Sequence, residues 1–148
     1  MTRITPHFTL EELTFSNTAV RLDIDNTPDE EALKNLKTLA EGLEHVRTKL
    51  DGNAIRISSG YRSLQLNRAL RSKDTSFHVR GLAADWTCPG FGSVDDVMRC
   101  IAESGIEWDQ LIYEYGSWIH IAFPAEGEMA RRQTFAITKD GVRAYEST

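Results

Sequence analysis

Leu33, Leu36, Ala40, Leu43, Val46 and Leu50 recur at helical spacing and line up one apolar face over about five turns. A face that long cannot stay in water, so other elements of the same chain must cover it. Thr27-Pro28-Asp29-Glu30 opens the helix, with Pro28 expected at its first position, where a missing N–H costs nothing. Gly52 ends it.

Beyond the helix the apolar pattern shortens to that of strands. Residues 54–58 (Ala-Ile-Arg-Ile-Ser) read as a strand. Gly60-Tyr61-Arg62-Ser63 turns it into a helix carrying Leu64, Leu66 and Leu70, with Arg62 at the strand's end. Residues 72–77 read as polar loop and residues 82–86 as a second strand. Ser93-Val94-Asp95-Asp96 caps a helix running to Ser104-Gly105. Residues 109–114 and 118–123 form two strands around a tight Tyr115-Gly116-Ser117 turn, and residues 134–137 and 142–145 close the chain as a hairpin or edge around Lys139-Asp140-Gly141. Phe8, Leu10, Leu13 and Phe15 make a short apolar lead-in, with a helix start at Thr9-Leu10-Glu11-Glu12. No repeat or linker interrupts this order. The expectation is one α+β domain over residues 1–148, with a packing segment at 1–27 and a core at 28–148 whose helices cover a mainly antiparallel sheet.

A chain of 148 residues buries enough surface to fold without disulfides. Cys88 and Cys100 form no CxxC pair and read as isolated, reduced thiols. The net charge of -5 lacks the basic footprint of a nonspecific nucleic-acid binder and disfavours a polyanionic substrate. No apolar run reaches bilayer length, and Met1-Thr2-Arg3-Ile4-Thr5-Pro6 lacks the apolar core of a secretory signal. A cytoplasmically made monomer without a membrane span is expected.

Chemistry concentrates in Ser76-Phe77-His78-Val79-Arg80-Gly81-Leu82-Ala83-Ala84-Asp85, where an imidazole and a carboxylate flank a turn that Gly81 permits. A catalytic zinc site takes three protein ligands and leaves a fourth position for water. His120, on the strand Trp118-Ile119-His120-Ile121-Ala122-Phe123, is the natural third. Each alone has a plain reading: a core histidine, a strand-ending aspartate, a loop histidine.

Together, Ser76-x-His78-x-x-Gly81-x-Ala83-x-Asp85, the upstream Ser59-Gly60-Tyr61-Arg62-Ser63 and the downstream Trp118-x-His120 resemble the M15 zinc peptidases. The similarity runs from His7 to Phe123 and is nearest to compact phage and prophage domains related to D-Ala-D-Ala carboxypeptidases. The resemblance implies that His78, Asp85 and His120 bind one Zn2+. It also implies a small α+β fold shared with D-Ala-D-Ala peptidases and Hedgehog-type domains. Peptidoglycan stem peptides would be the substrate, cut by a carboxypeptidase or an endolysin-type endopeptidase that reaches the cell wall after release. Arg62 falls where the family supplies a cation near the metal, to stabilise an oxyanion or clamp a carboxylate, the plain alternative being a surface ion pair. Ser76 would orient the loop or bind substrate, or simply cap a turn.

The usual acidic residue three positions before the last histidine is absent here, since Ser117 stands there. If Tyr115-Gly116-Ser117 is a three-residue loop, Glu114 pairs with Trp118 and shares the face of His120, which makes Glu114 the catalytic base. A two-residue loop would turn Glu114 away and leave Asp109 as the fallback. Trp86, Trp108 and Trp118 are open to either groove lining or packing, the usual place of large aromatics, with Trp118 the best groove candidate because it would share the face of His120 and border the substrate. Two rival readings are a metal-stabilised cell-wall-binding or phage structural module without catalysis, and an Fe(II) oxygenase. The second normally uses a short His-x-Asp spacing, whereas six residues separate His78 from Asp85.

Overall fold

The computed structural model of the chain describes residues 2–145. The chain enters through a two-stranded ribbon, β1 (Arg3–Thr5) and β2 (Phe8–Thr9), then α1 (Leu10–Thr14) and α2 (Asn17–Arg21). Thr9 caps α1 reciprocally: its hydroxyl accepts from the Glu12 amide at 3.2 Å, and the Glu12 carboxylate accepts from the Thr9 amide at 2.8 Å. Helix α2 was not anticipated. Ser16 caps it, but five residues with Val20 exposed are too few to display a period.

Helix α3 (Glu30–Lys49) is the long helix expected, with two corrections. Pro28 lies before the cap, because Asp29 takes the N-cap position and its carboxylate accepts from the Ala32 amide at 2.8 Å. Leu33 is 43% exposed, whereas Leu36, Leu39, Ala40, Leu43, Val46 and Leu50 are fully buried, so the stripe is turned slightly from the one first read. Each large aliphatic of that face contributes about 1.5–3 kcal/mol by leaving water.

The remaining elements are β3 (Arg56–Ser59), α4 (Leu64–Ala69), α5 (Phe77–Arg80), β4 (Ala83–Thr87), α6 (Val94–Ala102), β5 (Gln110–Glu114), β6 (Trp118–Ala122), β7 (Gln133–Thr138) and β8 (Gly141–Ala144). The expected loop at 72–77 stops at Ser76, which caps the single helical turn of α5. Strands pair in the order β3-β4-β6-β5-β7-β8. All neighbours are antiparallel except β5 and β7, because β7 returns on the free side of β5 after residues 123–132. The fold is therefore a mixed α/β domain with a mostly antiparallel six-stranded sheet.

Alternation along the strands gives the sheet two unlike faces. Ala84, Trp86, Leu111, Ile119 and Ile121 join α3 and α6 in the hydrophobic core. The residues between them, Asp85, Ile112, Glu114 and His120, project from the other side. No helix among the described residues is long and apolar enough to cross a membrane.

Candidate metal centre

Asp85 on β4 and His120 on β6 are direct cross-strand partners, so antiparallel register alone puts them side by side on one face. The His120 Nδ1 lies 3.0 Å from Asp85 Oδ1. His78 comes from α5, where the Ser76 hydroxyl accepts from the His78 amide at 3.2 Å. Gly81 then ends the turn in the left-handed region, with φ 79°, which lets the chain reverse at once into β4. The His78 Nε2 reaches 3.3 Å from Asp85 Oδ1, and the two imidazole centroids are 5.1 Å apart. All three side chains are buried, and each offers an atom within 4.8 Å of the others.

The chemistry of this donor set fits a cation. His78 Nδ1 sits 2.7 Å from the Gly60 carbonyl oxygen, and only an N–H can bond there, so the neutral ring keeps its proton on Nδ1. Nε2 then directs a lone pair at the Asp85 carboxylate. Burial lowers the pKa of His78, outweighing the pull of the Asp85 charge and disfavouring a proton between them. For Asp85, burial works against ionisation, but the two neighbouring imidazoles, as charge and hydrogen-bond partners whenever they carry the extra proton, outweigh it and hold its pKa well below the usual range. An anion and a neutral imidazole facing each other across 3.3 Å are suited to sharing a metal ion.

Arg62 approaches the centre from the loop after β3, three residues past the strand's end rather than on it. Its Nη2 is 3.5 Å from Asp85 Oδ2, with only 14% of the side chain exposed. Its amide donates to the His78 carbonyl at 3.0 Å, joining the Arg62 and His78 loops directly. A surface ion pair is therefore not its situation. The hairpin has the three-residue loop, since Glu114 pairs with Trp118 and Ile112 with His120, and Glu114 shares the face of His120. Burial raises the Glu114 pKa first and the Asp85 charge second, with His120 and Arg62 opposing.

Asp109 is not near these groups in function. Its carboxylate is held by Arg131 through Nη2 at 2.6 Å and Nε at 3.0 Å, and it is buried there. Ser76 caps α5. Trp118 is half-buried beside Tyr115, ring centroids 5.5 Å apart, and its indole nitrogen lacks a hydrogen-bond partner among the described residues. The sequence reading missed the Gly60 carbonyl that orients His78, and Asn67 and Ser59, which contact Arg62. Ser59 and Gly60 lie within the quoted motif, but a backbone acceptor leaves no trace in residue type; Asn67 gave no signal at all.

A mixed α/β fold presenting two histidines and an aspartate around one point has the makings of a metal-dependent hydrolase. The family model described as Peptidase M15 matches residues 6–122, so the chain belongs to the M15 peptidase family, whose members are zinc-dependent. No curated protein matches it.

Proposed function

We propose that the protein hydrolyses peptide bonds in peptidoglycan stem peptides, with His78, Asp85 and His120 holding one zinc ion, Glu114 as general base and Arg62 as partner of the oxyanion. The observation carrying this reading is the burial of two imidazoles and a carboxylate around one point, with Glu114 on the same sheet face. Zinc bound there would polarise the scissile carbonyl and lower the pKa of water toward about 7.

Glu114 takes the proton of the attacking water and passes it to the leaving amine. Its raised pKa makes it a better acceptor than an exposed carboxylate. Arg62 offers a fixed, always-charged fork to the oxygen that becomes negative during attack. Trp118 borders the substrate on the Glu114 side, and the Ser76 hydroxyl lies next to His78 for a substrate amide. The protein meets its polymer after release from the producing cell, as in phage lysis.

Purified sacculi digested by zinc-loaded and by chelator-treated protein, followed by mass spectrometry of the products, test this reading. Loss of a terminal D-Ala or opening of cross-bridges, in the zinc-loaded sample only, is expected. Zinc-dependent binding to sacculi without any cleavage would overturn catalysis and favour a cell-wall-binding module.

A further inference from the structure

Arg62 is held on two edges by neutral acceptors. Its Nε donates to the Ser59 hydroxyl at 3.1 Å, and its Nη1 donates to the Asn67 side-chain oxygen at 3.3 Å. The third corner, Nη2, is left facing Asp85. Asn67 is fully buried on α4, and its amide nitrogen donates to the Lys73 carbonyl at 2.8 Å. Both contacts demand one orientation of the amide, because a flip would set its NH2 against the guanidinium and its oxygen against a carbonyl. The Asn67 backbone carbonyl also accepts from the Ser72 amide at 3.1 Å, so one residue ties Arg62 to the loop leading into His78.

We infer that Ser59 and Asn67 are positioning residues that aim the Arg62 guanidinium at the centre formed by His78, Asp85 and His120. The inference deepens the peptidase reading and rests on it for its catalytic consequence. A guanidinium is planar and reaches in fixed directions, so its usefulness to a developing charge depends on which N–H points where. Fixing two edges with uncharged acceptors orients the group without neutralising it. A second carboxylate in either position would have drained the charge that the reaction needs.

Ser59→Ala removes an acceptor whose one side-chain hydrogen bond among the described residues is to Arg62. Asn67→Ala removes the other and also releases Lys73. Each should lower kcat roughly 10- to 100-fold, as expected when a charged group is left loosely placed, while KM and zinc stoichiometry stay as in wild type. In an Arg62→Ala background Ser59→Ala should cost nothing further, because the residue it positions is gone. Ser59→Thr, which keeps the hydroxyl, should restore kcat.

A second measurement needs neither zinc nor turnover. In chelator-treated protein the Arg62 Nε–Hε signal, assigned by its loss in Arg62→Ala, should exchange with water slowly in wild type and at least about tenfold faster in Ser59→Ala. Unchanged exchange in Ser59→Ala, or a loss of kcat from Ser59→Ala that persists in the Arg62→Ala background, overturns the positioning role. If Asn67→Ala fails to fold, Ser59→Ala decides alone. If wild-type protein cleaves no peptidoglycan, the peptidase reading fails, and the exchange measurement still decides whether Arg62 is clamped.

Discussion

Gly60→Ala probes the coupling between backbone packing and the metal centre. A Cβ built at Gly60 would lie 2.3 Å from the Leu13 carbonyl oxygen and 2.9 Å from its carbon. Side-chain carbons do not approach closer than 3.0 Å, so the two segments must part by at least 0.7 Å. Leu13 is not free to retreat, because the same oxygen accepts from the Tyr61 amide at 2.7 Å and the Leu13 side chain is fully buried. The Gly60 carbonyl therefore takes the shift, and its 2.7 Å contact with His78 Nδ1 is what it disturbs. Moved in full, that contact lengthens to about 3.4 Å, past the ordinary N–H···O range. Losing the partner that orients a liganding histidine costs roughly 10- to 100-fold in metal affinity, or about 1.4–2.8 kcal/mol. The metal-free fold should lose a further ~1–3 kcal/mol from overpacking. Zinc titration against a competing chelator, with thermal unfolding of the metal-free protein, separates the two effects. Gly105→Ala is the control, since a Cβ there meets nothing within 4 Å. Wild-type zinc affinity in a destabilised Gly60→Ala protein would refute the proposed coupling.

Glu114→Gln should keep zinc at the wild-type level and lower kcat by ~100- to 10,000-fold, the usual range for a lost general base; retained turnover would remove Glu114 from the mechanism. Arg62→Ala should likewise keep its zinc and lose roughly 100- to 1,000-fold in kcat, and a metal-free variant would contradict the role given to this residue. Acidification of the metal-free protein tests the electrostatics. The folded state lowers the pKa of both His78 and Asp85, so the unfolded chain binds the extra proton on acidification in each case, and stability falls as pH drops. The His78 contribution begins to disappear below about pH 6.5 and that of Asp85 below about pH 4. Glu114 opposes them, since its raised pKa favours the folded state at low pH and this benefit fades as pH rises. Urea midpoints measured with chelator should fall more steeply from pH 7 to 5 in wild type than in His78→Asn; identical slopes in the two proteins would contradict the burial of a neutral His78.

Much of the site was readable because local rules fix it. Loop length sets hairpin register, so the sequence narrowed Glu114 to two positions, and the three-residue loop Tyr115-Gly116-Ser117 puts it opposite Trp118 on the face of His120. The stretch from Ser76 to Asp85 is short enough that one helical turn and one left-handed glycine bring its two functional side chains together. What was missed depends on distant neighbours. The parallel pairing of β5 with β7 joins residues more than twenty positions apart, and the local turn Lys139-Asp140 signals only the β7–β8 hairpin. Leu33 satisfies the helical period yet stays 43% exposed, while Leu39 is buried, because which edge of α3 is covered depends on elements distant in sequence. Asn67 is a buried polar residue whose purpose appears only once Arg62 and Lys73 arrive beside it. Asp109 could serve as a base on paper, until Arg131 is seen to occupy it.

Anomalous diffraction at the zinc edge, from crystals of protein loaded with one equivalent of zinc, bears most directly on the centre itself. One peak per chain is expected, about 2.0–2.2 Å from His78 Nε2, His120 Nδ1 and an Asp85 carboxylate oxygen. A peak held by other side chains, or none with these three groups in place, would contradict the account.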